Sequence, residues 1–335
     1  MTPLWIRLNE PSGVAEARRR ARHQANGMNL PSTKVEHIAI VTTEIAQNII
    51  RHGGGGQMLV QPFGPPGLER IQVLGVDTGP GIERLDRMLK DGVSTKTSPG
   101  TGFGAMLRLS DRLDIDTTPG RGTCVAAEFQ AQPIGETSFI DHAGFFVALP
   151  AERVSGDAVA VRQAGDRALY MVCDGLGHGR KAAEAARQAR GAFMRAHGKD
   201  PASILREMDS VLAGTRGAVA AVVALDLSEN MLTHAGIGNI TIGVATGSTL
   251  KRLPVRDGMV GAGLRRATNE TSPFAAGSTL VMHSDGMSTI RTMDDYRDLF
   301  QHSAPVIAGR LLDEHFRGRD DASIIVVRSL PARAL

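Results

Sequence analysis

The stretch I-Q-V-L-G-V-D-T-G-P-G-I, Ile71 to Ile82, is an apolar, β-branched run that stops on a carboxylate and then turns through two glycines. Such a run reads as a strand bounded by a tight turn. It places Asp77 at a strand's C-terminal end, where its carboxylate can accept a hydrogen bond from the amino group of an adenine. Gly79 and Gly81 let the chain turn there without a Cβ and let a base come close.

Just upstream, Val35, Ile38, Ala39, Thr42, Ile45, Ala46 and Ile49 recur at the helical period, and Gly53 to Gly56 end the pattern. On this helix E-I-A-Q-N sets Glu44 and Asn48 four apart, on one face offset from the apolar stripe. Buried without partners, a carboxylate and an amide would cost several kcal/mol. An Mg²⁺ ion carried on ATP phosphates is one such partner: Asn48 offers it a neutral oxygen, and Glu44 can take the proton of an attacking hydroxyl. Strands are expected at Leu4 to Leu8, Gln57 to Gln61, Leu113 to Thr117 and Thr123 to Phe129, with a helix near Val14 to Gly27. Between Gly79 and Leu109 lies a long segment rich in Gly, Ser, Thr and charge, with a helical piece at Ile82 to Lys90 and a return to helix after Gly104. A long irregular stretch in a compact domain reads as a functional lid or as a disordered segment. Its G-T-G-F-G (Gly100, Gly102, Gly104) precedes A-M-L-R-L-S-D and aims backbone N–H groups at phosphates from a helix N-terminus. It is not the dinucleotide fingerprint, because no strand immediately precedes it and the third glycine comes one residue early. The P-loop lysine signature is absent.

The stretch A-Q-P-I-G-E-T-S-F-I-D marks a linker, set at residues 132–140 between a first domain at 1–131 and a second at 141–335. Beyond it, strand-like runs fall at Gly144 to Leu149, Asp157 to Arg162, Ala168 to Cys173, Val219 to Leu227, Met231 to Gly236, Ser278 to His283 and Ser323 to Arg328. Helices fall at Lys181 to His197, Pro201 to Ala213 and Ala304 to Phe316. Strand–turn–strand hairpins around a few helices give an α+β class with antiparallel sheets. Four motifs sit at the strand ends: S-G-D (Ser155 to Asp157), C-D-G-L-G-H-G (Cys173 to Gly179), H-S-D-G (His283 to Gly286) and G-R-D-D (Gly318 to Asp321). Converging carboxylates repel one another by about 4 kcal/mol per close pair at about 4 Å and an effective dielectric near 20. A pair of divalent cations relieves that repulsion, and hard oxygen ligands favour Mg²⁺ or Mn²⁺ over zinc. Two such ions activate a bridging water and hold phosphoryl oxygens for in-line attack. Which of Asp320 and Asp321 points inward stays open. His178 reads as an exposed loop residue, and His234 and His283 as core histidines. There is no zinc-type His/Cys spacing, and Ser155 with His178 makes no convincing nucleophile–base pair.

The 335 residues are 42% hydrophobic, 22% charged and only 4% aromatic, with net charge +3. So few aromatics argue against a base-stacking nucleic-acid platform. The run Arg18, Arg19, Arg20, Arg22 reads as a solvated helix face. Cys124 and Cys173, one per half inside apolar runs, are expected buried and reduced. No signal peptide or membrane-spanning stretch is read, so a cytoplasmic protein is expected, with no nucleic-acid or membrane partner. A homodimer is left open.

Taken in order, E-x-x-x-N, D-x-G-x-G, G-x-G-x-G and P-G-R-G-T (Pro119 to Thr123) resemble the GHKL ATPase fold over about residues 4 to 130. Within it D-G-V-S-T-K (Asp91 to Lys96) and D-T-G-P-G-I resemble the RsbT-type serine/threonine switch kinases of bacterial partner-switching and stressosome systems. The order S-G-D, D-G-L-G-H-G, S-D-G, D-D-A-S-I-I-V-V resembles the SpoIIE/RsbX branch of metal-dependent protein phosphatases over about residues 140 to 330. The resemblances imply a Bergerat-type α/β sandwich followed by a protein phosphatase 2C-like α-β-β-α sandwich. They imply ATP with Mg²⁺ in the first half, where Asn48 holds the ion, Glu44 is the general base and Asp77 binds adenine. Gly79, Gly81, Gly100, Gly102 and Gly104 shape pocket and lid, and Thr123 supports the adenine end. Thr101 and Phe103 stand where family members commonly carry Leu. In the second half they imply two Mn²⁺ or Mg²⁺ ions, with Asp157 and Asp174 bridging or flanking them and Gly175 offering its carbonyl. Asp285 and Asp320 complete one site, with Asp321 the competitor for Asp320. The implied substrates are STAS-domain proteins, either anti-sigma-factor antagonists or stressosome scaffolds. A downstream phosphatase or sigma-factor regulator is a further implied partner. Two other readings stand beside this one: an ATP-sensing domain that controls the phosphatase, and an anti-sigma binding protein with vestigial catalysis. A sensor histidine kinase is disfavoured, since about 34 residues before the Glu44 helix are too few for a dimerising hairpin.

Overall fold

The computed structural model describes residues 5–85, 102–131, 140–150, 152–247, 249–264, 266–290 and 294–330. The chain divides into two compact units at residues 135–136. Gly100, Thr101, Asp91 to Lys96, the part of the expected Ile82–Lys90 helix beyond Leu85, and linker residues 132–139 lie outside the described residues. Linker residue Ile140 instead begins a strand, paired with Ser329.

In the first unit, α1 (Pro11–Gly27) and α2 (Ser32–Arg51) pack on an antiparallel sheet. Its strands are β1 (Ile6–Arg7), β2 (Gly56–Phe63), β3 (Arg70–Asp77), β4 (Arg112–Thr117) and β5 (Thr123–Gln130), in spatial order β1-β2-β3-β5-β4. Ala17, Ala21 and Ala25 form a small-residue stripe on α1, which lets it lie close to α2. The periodic apolar face of α2, Ile38, Ile45 and Ile49 among it, meets Met58, Val60, Ile71, Val73 and Phe129 from the sheet. Burying each such large side chain contributes roughly 1.5–3 kcal/mol. A third helix, α3 (Gly102–Leu109), is already helical three residues before the expected Ala105.

The second unit holds two five-stranded antiparallel sheets. One is ordered β13-β10-β9-β8-β7, from β7 (Asp157–Ala164), β8 (Arg167–Gly175), β9 (Ala218–Asp226), β10 (Met231–Ile237) and β13 (Glu270–Pro273). The other is ordered β12-β11-β14-β15-β6, from β6 (Ile140–Val147), β11 (Thr241–Thr246), β12 (Thr249–Leu253), β14 (Thr279–His283) and β15 (Ala322–Ser329). The sheets meet through β6, β7, β8 and β15. Helices α4 (Arg180–Arg195) and α5 (Pro201–Leu212) cover the first sheet, and α6 (Ala304–His315) covers β6 and β15 of the second. This is the α-β-β-α sandwich implied by the sequence. Alanines make the α4 contact: Ala186, Ala189 and Ala192 join Ala158, Ala160 and Met171 in one cluster, so the helix can approach the sheet closely. Strands β11, β12 and β13 were not expected from the sequence.

Candidate functional site

Register brings the carboxylates of the second unit together. Asp157 opens β7 and faces Asp174 across the β7–β8 pair, so the two side chains share one face at neighbouring positions. Asp285 is separated from the end of β14 by Ser284 alone, Asp320 and Asp321 precede β15, and β14 pairs with β15. Ser284 links the sheets: its hydroxyl donates to Asp157 Oδ2 at 2.6 Å, while the Ser323 N–H donates to Ser284 Oγ at 2.9 Å. Asp285 Oδ2 accepts from Asn239 Nδ2 at 2.6 Å.

Asp320 and Asp321 have different surroundings. Asp321 is 2% exposed, and its two oxygens accept the Leu149 and Gly156 N–H groups at 2.6 Å each. It thus pins the S-G-D turn from within. Asp320 is half-buried, and its Oδ1 accepts the Asp321 N–H at 2.8 Å. The motif glycines are tight contacts. A Cβ on Gly286 would lie 1.9 Å from the Asp321 carbonyl oxygen, and one on Gly175 would lie 2.3 Å from that of Ala182.

The electrostatics match a cation site. Burial pushes Asp157 up, opposed by its hydrogen bond from Ser284 and by the polar Ser323 side chain nearby, with Asp321 and Asp320 adding repulsion. Asp174 is raised first by burial, then by Asp157, Asp285 and Asp320. Asp285 is raised by burial and by Asp320, with Arg317 and Asn239 acting the other way. Asp157 Oδ1 is buried with no hydrogen-bond partner, a costly state that a bound cation relieves. Among the described residues, no three His, Cys, Asp or Glu side chains are drawn close enough to encircle a single ion. Carboxylates without counter-charge repel one another, and the hydrogen bonds to Asp157 and Asp285 hold each in place independently. The oxygen-only donor set and the orphaned Asp157 oxygen fit hard divalent ions. Such ions, when bound, supply an activated water and charge neutralisation at a phosphoryl group. Asp157, Asp174, Asp285 and Asp320 would hold them, with Ser284 and Asn239 orienting two of these carboxylates.

In the first unit, Asp77 ends β3 and its Oδ1 accepts the Gly79 N–H at 2.9 Å and the Thr123 N–H at 3.2 Å. The D-x-G turn and the start of β5 are thereby fastened to one carboxylate. Gly122 passes so near that a Cβ there would sit 1.9 Å from the Asp77 carbonyl oxygen. Gly79 runs against the Gly53 backbone and Gly81 against Thr118. Thr123 Oγ1 lies 3.2 Å from Thr117 Oγ1, which accepts the Ile82 N–H at 2.9 Å. Glu44 and Asn48 are half-buried neighbours on α2, and a Cβ on Gly102 would come 2.9 Å from Glu44 Oε2. The first turn of α3 therefore lies against the Glu44 carboxylate, with Gly104 buried within that helix. His178 is exposed and paired with Glu152 at 2.9 Å, and both cysteines are buried and free.

Sequence reading gave no place in either site to Ser284, Asn239, Gly53 or Gly122. Ser284 lies inside H-S-D-G and Gly122 inside P-G-R-G-T, so position in a motif was the available signal. Asn239 sits in a turn between strands with no motif around it.

The two sites define an ATPase-like domain joined to a metal-dependent phosphatase-like domain. Residues 8–129 match the histidine kinase-like ATPase domain, and residues 164–329 match the Stage II sporulation protein E (SpoIIE) family, so the chain carries one domain of each kind. It is homologous to the serine/threonine-protein kinase RsbT of Bacillus subtilis (strain 168), 26% identical over 122 residues that span 36% of this chain and 92% of RsbT. It is also homologous to the phosphoserine phosphatase RsbX of the same organism, 23% identical over 137 residues, 40% of this chain and 68% of RsbX. A solved structure from work on the bacterial stressosome, described as a modular system adapted to control secondary messenger signaling, shares the fold. Its TM-score is 0.53 at 24% identity, covering 56% of this chain and 99% of that one. Among the described residues, no helix is long and apolar enough to cross a membrane.

Proposed function

We propose that this chain is a bifunctional partner-switching regulator, in which the first unit phosphorylates and the second dephosphorylates serine or threonine of STAS-domain proteins. The observation that carries the proposal is the presence of both sites in one chain, each paired with a homologue of opposite chemistry. In the first unit Asp77 takes the adenine amino group, Asn48 supports Mg²⁺ on the phosphates, and Glu44, set against the start of α3, accepts the proton of the attacking hydroxyl. Gly102 and Gly104 let the backbone at the start of α3 approach the phosphates. In the second unit Asp157, Asp174, Asp285 and Asp320 bind two Mn²⁺ or Mg²⁺ ions with the Gly175 carbonyl, and Asp321 braces the turn that carries Asp157. Cytoplasmic location and a stressosome scaffold or anti-sigma antagonist as substrate belong to the same proposal. The test is a time course of phosphate on a purified STAS-domain protein, first with ATP and Mg²⁺, then with ATP removed and Mn²⁺ added. Phosphate should rise and then fall. If no phosphate is incorporated and none is released from a pre-phosphorylated sample, the proposal fails.

A further inference from the structure

Helix α4 leaves the carboxylate cluster directly. Its first turn packs on both metal-side turns: a Cβ on Gly175 would lie 2.3 Å from Ala182 O, and one on Gly156 2.8 Å from Ala182 Cβ. From there the helix runs 16 residues, about 24 Å at about 1.5 Å per residue. Its inner face is alanine and Phe193; its outer face carries Arg180, Lys181, Arg187, Arg190 and Arg195, all exposed, against a single carboxylate, Glu184. Arg180, Glu184, Arg187 and Arg195 fall on one side, with Arg190 and Lys181 flanking it.

Among the described residues, none of the five cations is within ion-pair distance of a carboxylate; Glu184 is instead bonded to Gln188. The arginine run of α1 differs, since Arg20 pairs with Glu16 and Arg22 with Glu36. At the inner end of the α4 face the guanidinium of Arg216 leans over the D-G-L-G-H-G loop, with Nη1 2.8 Å from where a Cβ on Gly177 would be. A positive ridge therefore begins at the mouth of the candidate phosphatase site and extends away from it.

We infer that this ridge is the docking surface for an acidic face of the phosphorylated protein substrate. The inference rests on the phosphatase reading and deepens it by naming what the enzyme recognises beyond the phosphate. A folded partner fits better than a nucleic acid. The ridge has no aromatic side chain for stacking bases, and it holds a carboxylate at its centre, which a continuous phosphate backbone would repel. A protein surface of opposite charge would be steered to the site at low ionic strength, and the steering would fade as the Debye length falls below the spacing of the charges.

The test uses the full chain with Mn²⁺ and three substrates: p-nitrophenyl phosphate, a short phosphoserine peptide, and a phosphorylated STAS-domain protein. Arg187→Glu/Arg190→Glu/Arg195→Glu should leave the first two within about twofold of wild type and lower kcat/KM for the phosphoprotein at least tenfold at low salt, through KM. Arg187→Gln/Arg190→Gln/Arg195→Gln should give a smaller loss in the same direction, which guards against misfolding of the reversal variant. Wild-type turnover of the phosphoprotein alone should fall steeply with added salt. Unchanged phosphoprotein turnover in folded variants overturns the docking inference by itself. So does a loss confined to binding of phosphatidylserine vesicles or duplex DNA. Failure of the wild type to hydrolyse any of the three overturns the phosphatase reading and this inference with it.

Discussion

Ser284 donates a 2.6 Å hydrogen bond to Asp157 across 127 residues of chain, from the end of β14 to the start of β7. Because Ser284 Oγ also accepts the Ser323 N–H, a single hydroxyl fixes Asp157 relative to both sheets. Ser284→Ala would leave a buried carboxylate oxygen and a buried N–H unpaired, at roughly 1–3 kcal/mol for each group. It would also remove an influence that holds Asp157 toward its charged form. We expect weaker Mn²⁺ binding, by about 10- to 100-fold, with ATP binding unchanged. Calorimetric titration with each ligand checks both.

Asp320 and Asp321 should respond differently to the same change. Asn at 321 offers one acceptor where two N–H donors point, leaving one of them facing an amide N–H₂ group. Asp321→Asn should therefore lower the melting temperature of the metal-free protein. Asp320→Asn should leave that temperature unlowered and abolish the stabilisation given by Mn²⁺. Thermal melts with and without Mn²⁺ compare them, and the reverse pattern would exchange their roles.

Gly122→Ala should damage the nucleotide pocket. Its φ of +75° is unfavourable for an L-residue, and its new Cβ would strike the Asp77 carbonyl. Gly120, at φ +80°, has open space around it, so Gly120→Ala carries the strain without the collision. We expect ATP affinity to fall at least tenfold in the Gly122 variant and much less in the Gly120 variant. Equilibrium binding of a fluorescent ATP analogue distinguishes them.

The carboxylate cluster also sets a pH dependence. Asp157, Asp174, Asp285 and Asp321 are all raised above the ordinary 3.8, primarily by burial. The metal-free folded state thus holds protons that the unfolded chain has released, and stability falls as pH rises from 3.8 through the raised values. Divalent ions bind the deprotonated carboxylates and reverse this loss. The gain in melting temperature from Mn²⁺ should therefore grow from mildly acidic to mildly alkaline pH. A gain independent of pH would contradict the clustering.

Much of this was legible in the sequence because the elements carry strong local signals. The α2 stripe from Val35 to Ile49, the run Ile71 to Val76 and the alanine face of α4 each repeat at the period of their element. The motif carboxylates sit at strand ends for the same reason. Three strands left weaker traces. Strands β12 (T-L-K-R-L) and β13 (E-T-S-P) are edge strands carrying charge or proline, where half the backbone faces away from the sheet. Strand β11, T-I-G-V-A-T, is interrupted by a glycine. The Ser284–Asp157 and Asn239–Asp285 bonds had no local trace, since each joins residues far apart in sequence. The different surroundings of Asp320 and Asp321 had no local trace either, since only the folded chain brings the Leu149 and Gly156 N–H groups to Asp321.

The central claim is that one chain adds and removes phosphate at separate sites. The most direct measurement follows phosphate on a STAS-domain protein with wild type, Glu44→Ala and Asp174→Asn, each supplied with ATP, Mg²⁺ and Mn²⁺. Glu44→Ala should incorporate none yet still clear a pre-phosphorylated substrate, and Asp174→Asn should incorporate phosphate and fail to clear it. If Glu44→Ala incorporates phosphate at the wild-type rate, or changes only its removal, phosphoryl transfer from the first unit is contradicted.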